Sequence, residues 1–198
     1  GFLISKIISE EINQTGKFDI FNFFLRRARR LFPVVIVLLL VSTFISYFLF
    51  NDARIFLNKS IIFNYLLIPN YFFWVNDINY FSENILNSNF LKHTWSLGLE
   101  YQFYIIFSLI FFFFIKRVKI LVFSLFALSF FLDFYFITNK PSASFYLIPT
   151  RLWEFLLGAI FYFIFPVLKN IVRKIKFLDL FSMLSIILTI FFFHDISL

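Results

Sequence analysis

The sequence predicts an all-α bundle of transmembrane helices, and three observations support that prediction. First, 61% of the 198 residues are hydrophobic and the mean hydropathy is +0.88, which is far above the values of soluble globular domains. Second, the chain contains apolar runs of about 20 residues, the length that a helix needs to cross a bilayer. Third, basic residues gather at the ends of these runs, as the positive-inside rule requires.

The first part of the chain is predicted to hold a helix tail, a polar connector and one full span. Residues 1–9 are apolar but too short to cross a bilayer, and residues 10–24 include Gly16 and Asp19 and are interpreted as a connector. Residues 31–50 then form an apolar run directly after the basic sequence RRARR. The chain starts with glycine and no charged leader precedes the apolar stretch, so we interpret it as a fragment cut at both ends.

The rest of the chain is predicted to cross the membrane four more times. The four further spans are residues 97–115, 120–137, 145–165 and 177–193. Residues 60–74 contain a proline and two asparagines and are short for a crossing, so they are interpreted as a re-entrant or interfacial element. Since glycine and alanine are scarce, we expect the helices to pack through aromatic side chains rather than small ones.

The charges agree on a single orientation of these spans. With residues 26–30 in the cytoplasm and His93 outside, 13 of the 18 basic residues lie on the inner side. The net charge of +7 is therefore explained by membrane topology, and we do not expect nucleic-acid binding. The absence of cysteine excludes disulfides and thiolate catalysis, and two histidines are too few for a His-rich metal site, so we predict no bound metal.

The segment KHTWSLGLEYQFY places hydrogen-bonding side chains at the mouth of one predicted span. In a helix that begins near His93, the residues His93, Ser96 and Glu100 share one face, with Gln102 and Tyr104 on its flanks. An acidic residue inside an apolar span is costly unless it is paired, so Glu100 is either a functional residue or the partner of an arginine on another helix.

A second polar sequence, PTRLWEF, is predicted to lie at the same outer face. It supplies Arg151 and Glu154, and Asp133 lies near the outer end of the predicted span 120–137. A histidine near a carboxylate can act as a general base with an orienting acid, and His93, Glu100, Arg151 and Glu154 are therefore candidate catalytic residues. The alternative is a structural ion-pair network, in which Arg151 pairs with Glu154 or with Glu100.

The four arginines of RRARR form a separate group, which we predict to lie at the opposite, cytoplasmic face. They can anchor the span to lipid phosphates and set its orientation. They can also bind a phosphorylated donor such as coenzyme A, since the planar guanidinium suits phosphate. Arg27 and Arg30 are one helical turn apart and would then point the same way.

Four segments of the chain resemble the acyltransferase 3 family of integral-membrane acyltransferases, in the family's order. They are GFLIS, FFLRRARRLFP, HTWSLGLEYQFY and SFYLIPTRLWEFLLGA. The resemblance implies an enzyme that transfers an acyl group, usually acetyl, from a cytoplasmic donor such as acetyl-CoA to a sugar hydroxyl at the outer face. No other bound cofactor is implied. Arg27 and Arg30 match the arginine motif that is associated with use of the donor.

The resemblance also sets limits on the site. The histidine that the family is thought to use lies in its first helix, which this fragment lacks, so we expect the isolated chain to be inactive. Tyr101 stands where many relatives have a second acidic residue after Glu100. The segments are most similar to enzymes of the bacterial inner membrane that acylate lipopolysaccharide O-antigen and often carry a C-terminal SGNH-type domain.

Two other functions remain open from the residues alone. One is a carrier or flippase for a lipid-linked sugar, which we expect to show broken helices facing each other near the membrane midplane. The other is a structural membrane subunit whose charges only stabilise the bundle. The partners expected for the enzyme are membrane lipid, acyl-CoA and a surface-glycan acceptor.

Overall fold

The computed structural model describes residues 1–48, 51–76, 91–172 and 183–185, without the side chains of residues 51–53 and 170–172. All regular structure in these residues is helical, which confirms the predicted all-α membrane bundle. Backbone contacts divide the chain into two units, Gly1–Ile160 and Phe161–Leu198. The second unit is helical at residues 161–172 and 183–185.

The described residues form eight α-helices, most of them in the first unit. They are α1 (Phe2–Thr15), α2 (Ile20–Phe48), α3 (Asn51–Tyr65), α4 (Pro69–Val75), α5 (Trp95–Phe114), α6 (Val118–Asn139), α7 (Pro141–Tyr146) and α8 (Ile148–Val172). A single 3-10 turn precedes α5 and another joins it to α6.

Three helical stretches are long and apolar enough to cross a membrane. They are Ile20–Phe48, Lys92–Asn139 and Ile148–Lys169. The second stretch contains both predicted spans 97–115 and 120–137, while the first and third overlap the predicted spans 31–50 and 145–165. The predicted span 177–193 lies outside the described residues, apart from three helical positions.

Helices α5 and α6 run in opposite directions beside the start of α8. The ring of Phe155 in α8 stacks on Phe103, near the middle of α5, with the centroids 4.7 Å apart. Two residues earlier, the indole of Trp153 donates a hydrogen bond to Asp133, late in α6 (3.1 Å). One turn of α8 thus contacts α5 and α6 at similar distances along the chain from the turn that joins them, as in an antiparallel pair.

Helices α3 and α4 form a short hairpin around Leu67. This leucine has a φ of 61°, in the left-handed region that bulky residues rarely adopt. The ring of Phe72 in α4 packs against both Phe56 (5.0 Å) and Phe63 (5.5 Å) of α3, so α4 folds back along α3. The hairpin includes the segment 60–74, whose re-entrant position in a membrane stays a prediction.

Aromatic side chains build the core where α4, α5 and α7 meet. Phe72, Phe73 and Tyr146 are almost completely buried there. The rings of Trp95 and Phe145 lie against the same cluster with their centroids 4.6 Å apart. This part of the bundle packs as the abundance of phenylalanine suggests.

Glycine makes two close helix contacts that the composition did not suggest. A Cβ atom on Gly98 in α5 would lie 2.7 Å from Oδ1 of Asn70 and 2.9 Å from Cδ of Pro69, both in α4. A Cβ atom on Gly158 in α8 would lie 2.8 Å from the backbone nitrogen of Phe2 in α1. These two glycine contacts are exceptions to the expected packing through aromatic side chains.

Candidate active site

A cavity of about 240 Å³ lies between α1, α2, α5 and the start of α8. Its polar lining consists of two guanidinium groups, a carboxylate and a phenol, from Arg27, Arg30, Glu100 and Tyr104. Its other lining residues are Gly1, Leu3, Ile4, Leu31, Phe103 and Phe155. The arginine motif of α2 and the acidic residue of α5 therefore face one site.

This arrangement corrects the predicted separation of the two charged groups. From the sequence, Arg27 and Arg30 were predicted to lie at the cytoplasmic face and Glu100 near the outer face, on opposite sides of the membrane. In the structure all three line the same cavity. The prediction failed because α2 begins at Ile20, eleven residues before the apolar run at 31–50, so the arginines lie within the helix and not at its end.

The register of α2 against α5 puts the cavity beside the middle of α5. The ring of Phe23 contacts Tyr104 (6.3 Å) and the ring of Phe32 contacts Tyr101 (6.2 Å), so the two helices run antiparallel. At ~1.5 Å per residue, Tyr104 lies roughly 14 Å from the start of α5, a helix about 30 Å long. Charged residues at such a depth in a membrane bundle are functional-site candidates.

Aromatic rings hold the guanidinium group of Arg27. Its Cζ atom lies 5.7 Å from the ring centroid of Phe23 and 5.8 Å from that of Tyr104, within the range of cation–π attraction. Phe23 is completely buried, so this support is part of the core. Among the described residues, neither Arg27 nor Arg30 forms an ion pair with a carboxylate.

The other two arginines of the RRARR sequence do not line the cavity. Arg26 pairs with Glu11 of α1 (2.7 Å), and the other oxygen of Glu11 accepts a hydrogen bond from the backbone of Asp19 (3.0 Å). Arg29 is exposed. The helical period thus divides the motif into one arginine that ties α2 to α1, one that points outward, and the pair Arg27 and Arg30 that faces the cavity.

Glu100 is hydrogen-bonded within its own helix. The hydroxyl of Tyr104, four residues later, donates to Oε2 of Glu100 at 3.3 Å. Among the described residues this is the one hydrogen bond to the carboxylate, and it leaves acceptor capacity facing the cavity. A carboxylate in this state can orient a substrate hydroxyl or accept its proton.

His93 and Ser96 do not share the cavity with Glu100. The side chains of both are exposed, and the Ser96 hydroxyl donates to the backbone carbonyl of His93 (3.3 Å). His93 precedes Glu100 by seven residues, or roughly 10 Å along a helix axis. The structure does not bring the two side chains together, and a catalytic role for His93 stays a prediction.

Arg151 and Glu154 form an ion pair with each other, which was one of the alternatives open from the sequence. The guanidinium of Arg151 also lies over the rings of Trp95 (5.4 Å) and Phe145 (4.9 Å), and its Nε donates to the backbone carbonyl of Phe145 (3.2 Å). Neither residue lines the cavity. These contacts join α8 to α7 and α5, while a catalytic role for the pair stays a prediction.

Asp133 is engaged in contacts that join α6, α7 and α8. One carboxylate oxygen accepts a hydrogen bond from the Ser144 hydroxyl and the other from the indole of Trp153 (3.1 Å). The hydroxyl of Ser129, one turn before Asp133, accepts a hydrogen bond from the backbone nitrogen of Trp153 (2.9 Å). Asp133 thus takes part in helix packing and does not face the cavity.

The bundle also contains a buried amide pair that the sequence did not indicate. The side chain of Asn70 is completely buried, donates to the backbone carbonyl of Tyr146 (3.0 Å) and accepts a hydrogen bond from Gln102 (2.8 Å). Gln102 was noted as a flank of the motif, but nothing in the sequence linked it to Asn70, 32 residues earlier. The contact depends on Gly98, which allows α4 to approach α5.

Comparisons with known proteins identify the family of the chain. The sequence model of a family described as "Acyltransferase domain" matches residues 1–197. The chain is 30% identical to O-acetyltransferase OatA of Staphylococcus aureus over 97% of its length, and 34% identical to putative O-acetyltransferase SACOL0978 of the same species over 100%. It spans about a third of the length of these curated relatives, 34% in each case. No solved structure is significantly similar to it.

Proposed function

The chain belongs to the acyltransferase 3 family, and on that premise we propose that the complete protein transfers an acetyl group from an acyl-CoA donor to a hydroxyl group of a cell-surface glycan. The cavity carries the proposal, because it joins the family's arginine motif to the acidic residue of α5. The names of the curated relatives, both O-acetyltransferases, support acetyl as the group transferred to oxygen.

The reaction needs the charges that the cavity supplies. The acceptor oxygen attacks the thioester carbon, a carbon–oxygen bond forms, the carbon–sulfur bond breaks, and the proton of the hydroxyl passes by way of a base to the departing thiolate. Arg27 and Arg30 supply positive charge for the phosphates of the donor or for the oxyanion that develops on the carbonyl. Glu100 faces the same space and orients the acceptor hydroxyl.

The size of the cavity suggests which part of the donor it takes. Sites that enclose a whole drug-sized ligand measure roughly 300–1,000 Å³. At about 240 Å³ this cavity is smaller, so it would hold one part of an acyl-CoA molecule and leave the remainder outside. Donor and acceptor would then meet at a single site within the bundle, not at two sites on opposite faces.

The proposal also covers the membrane in which the protein lies, its orientation there and its acceptor. The excess of basic residues in the inner loops supports a bacterial inner-membrane protein with residues 26–30 of α2 towards the cytoplasm and His93 towards the outside. Lipopolysaccharide O-antigen is the acceptor that the sequence resemblance implies, and an SGNH-type domain is the partner domain that it implies.

The test compares two cavity variants with matched controls in the complete gene product. Arg27→Ala and Glu100→Gln are expressed at equal protein levels in a host that lacks O-acetylation of its surface glycans, and base-labile acetate is measured on purified lipopolysaccharide and other surface polysaccharide. Each variant should lower acetylation about a hundredfold, because removal of a group that acts in the transition state costs roughly 3 kcal/mol.

The controls change the same side-chain types outside the cavity. Arg29→Ala removes an exposed arginine of the same motif, and Glu10→Gln removes a carboxylate whose partner, Lys6, is 3.8 Å away on the surface. Both should retain normal acetylation. If the unaltered protein acetylates no glycan, or if the cavity variants remain active, the transferase proposal is wrong and a carrier function becomes the leading one.

A further inference from the structure

Tyr104 contacts two of the charged residues that line the cavity, Glu100 and Arg27. Its hydroxyl donates to Oε2 of Glu100 (3.3 Å), and its ring lies under the guanidinium of Arg27 (5.8 Å). Its ring also packs edge-on against Phe23 (6.3 Å) and tilted against Phe103 (6.1 Å). The phenol is therefore fixed by the core at the point where the acidic and basic groups of the site approach each other.

We propose that Tyr104 is a positioning residue of the acyl-transfer site, whose hydroxyl orients the Glu100 carboxylate and whose ring holds the Arg27 guanidinium. The inference rests on the proposed function of the cavity. The hydroxyl and the ring of Tyr104 then serve two different substrates. The hydroxyl acts through Glu100 on the acceptor, and the ring acts through Arg27 on the donor.

The hydroxyl matters because Glu100 has little else to hold it. A glutamate side chain has several rotatable bonds, and fixing one rotamer costs entropy that a hydrogen bond to the charged form offsets. Tyr104 lies one turn further along α5, where residues four apart face each other. Among the described residues no other donor reaches the carboxylate, so loss of this hydroxyl frees Glu100 to leave the reactive orientation.

The ring matters because it holds Arg27 without neutralising the charge of the guanidinium group. A carboxylate partner would use the hydrogen-bond donors of the guanidinium and cancel its charge. Tyr104 and Phe23 hold the group by their faces instead, and within the described residues Arg27 has no ion pair. Its donors and its charge therefore remain available to an anionic or polar part of the donor substrate.

Substitution of the hydroxyl and of the ring should separate the two roles. In the complete protein, Tyr104→Phe should lower kcat about tenfold, as expected for loss of a hydrogen bond to a charged group, with the KM for acetyl-CoA unchanged. Tyr104→Leu removes the ring as well, so it should also raise the donor KM about fivefold and weaken binding of a non-transferable thioether analogue of acetyl-CoA to the same extent.

A neighbouring tyrosine provides the matched control. The hydroxyl of Tyr101 is buried without a hydrogen-bond partner among the described residues, so Tyr101→Phe removes the same group from the same helix without breaking a contact. It should keep the kcat and KM of the unaltered protein. Thermal stability in detergent is measured for all variants, so that a loss of folded protein is separated from a change in kinetics.

The outcomes distinguish this inference from the proposed function. The inference is supported if Tyr104→Phe lowers kcat and has no further effect in a Glu100→Gln background, since coupled residues are non-additive. It is overturned if Glu100→Gln is inactive while Tyr104→Phe matches Tyr101→Phe. If the unaltered protein transfers no acyl group, the proposed function fails first, and the assignment of Tyr104 fails with it.

Discussion

Two polar regions of this bundle differ in whether their charged groups have partners within the chain. Where α6, α7 and α8 meet, both oxygens of the Asp133 carboxylate accept hydrogen bonds, from Ser144 and Trp153. In the cavity, Arg27 and Arg30 have no carboxylate partner among the described residues, although Glu100 lines the same space. The first region uses its polar groups within the chain, whereas the second leaves them directed at a ligand.

The difference identifies which polar residues belong to the fold and which to the function. Burying a polar group is costly unless it is hydrogen-bonded, so a fully satisfied cluster is typical of structural packing. Charges that keep unused donors and acceptors inside a membrane bundle need another explanation, and binding of a charged substrate is the most direct one. Composition does not reveal this difference, because both regions combine a carboxylate with aromatic residues.

Asp133→Ala tests the structural side of the comparison and should have the largest effect on stability. The substitution leaves the Ser144 hydroxyl and the Trp153 indole without their acceptor, which costs roughly 2–3 kcal/mol. The thermal midpoint and the yield of folded protein in detergent should fall, while acetyl transfer per folded molecule stays normal. Asp133→Asn keeps one carbonyl acceptor and should lose about half as much stability.

The comparison fails if Asp133→Ala has normal stability and lowers acetyl transfer per folded molecule. The carboxylate would then act in the reaction, and the satisfied cluster between α6, α7 and α8 would be part of the site.

Gly98→Ala tests the close contact between α4 and α5 on which the buried amide pair depends. An added Cβ would meet Asn70 Oδ1 at 2.7 Å and Pro69 Cδ at 2.9 Å, so α4 must shift, at a cost of about 1–2 kcal/mol. The thermal midpoint should fall by less than in Asp133→Ala. Ser96→Ala, on the exposed side of the same helix, should leave the midpoint unchanged, and equal effects of the two substitutions would contradict the contact.

The sequence was sufficient for the long apolar helices and for the polar residues of the cavity. Hydropathy, the arginine motif and the segment around Glu100 are local signals, and each was read within a single stretch of chain. The opposite orientations of α5 and α6 also agree with the charge pattern, since the basic turn between them is short and both helices are apolar.

What the sequence did not reveal depends on register between distant helices. Arginines next to an apolar run are usually interpreted as its boundary, and that rule placed Arg27 and Arg30 away from Glu100. Their meeting follows from the start of α2 at Ile20 and from its antiparallel register against α5. The pairing of Asn70 with Gln102 likewise needs the close approach at Gly98, which no local pattern shows.

Asp19→Asn tests a charge that belongs to neither region, and it should have the smallest effect on the thermal midpoint. Asp19 precedes α2, and its carboxylate accepts hydrogen bonds from the backbone (3.0 Å) and the side chain (2.6 Å) of Asn22, which lower the pKa of this exposed carboxyl below its usual value. A depressed pKa in the folded state means that the charged form stabilises the fold. The contribution is complete above the unfolded-state pKa and is lost as pH falls through the folded-state value.

The thermal midpoint in detergent, measured from neutral to acidic pH, should therefore differ slightly between Asp19→Asn and the unaltered protein at neutral pH and converge in acid. A difference that persists unchanged in acid would show that the carboxylate charge contributes nothing at this helix start, while acetyl transfer should be the same in both proteins at neutral pH.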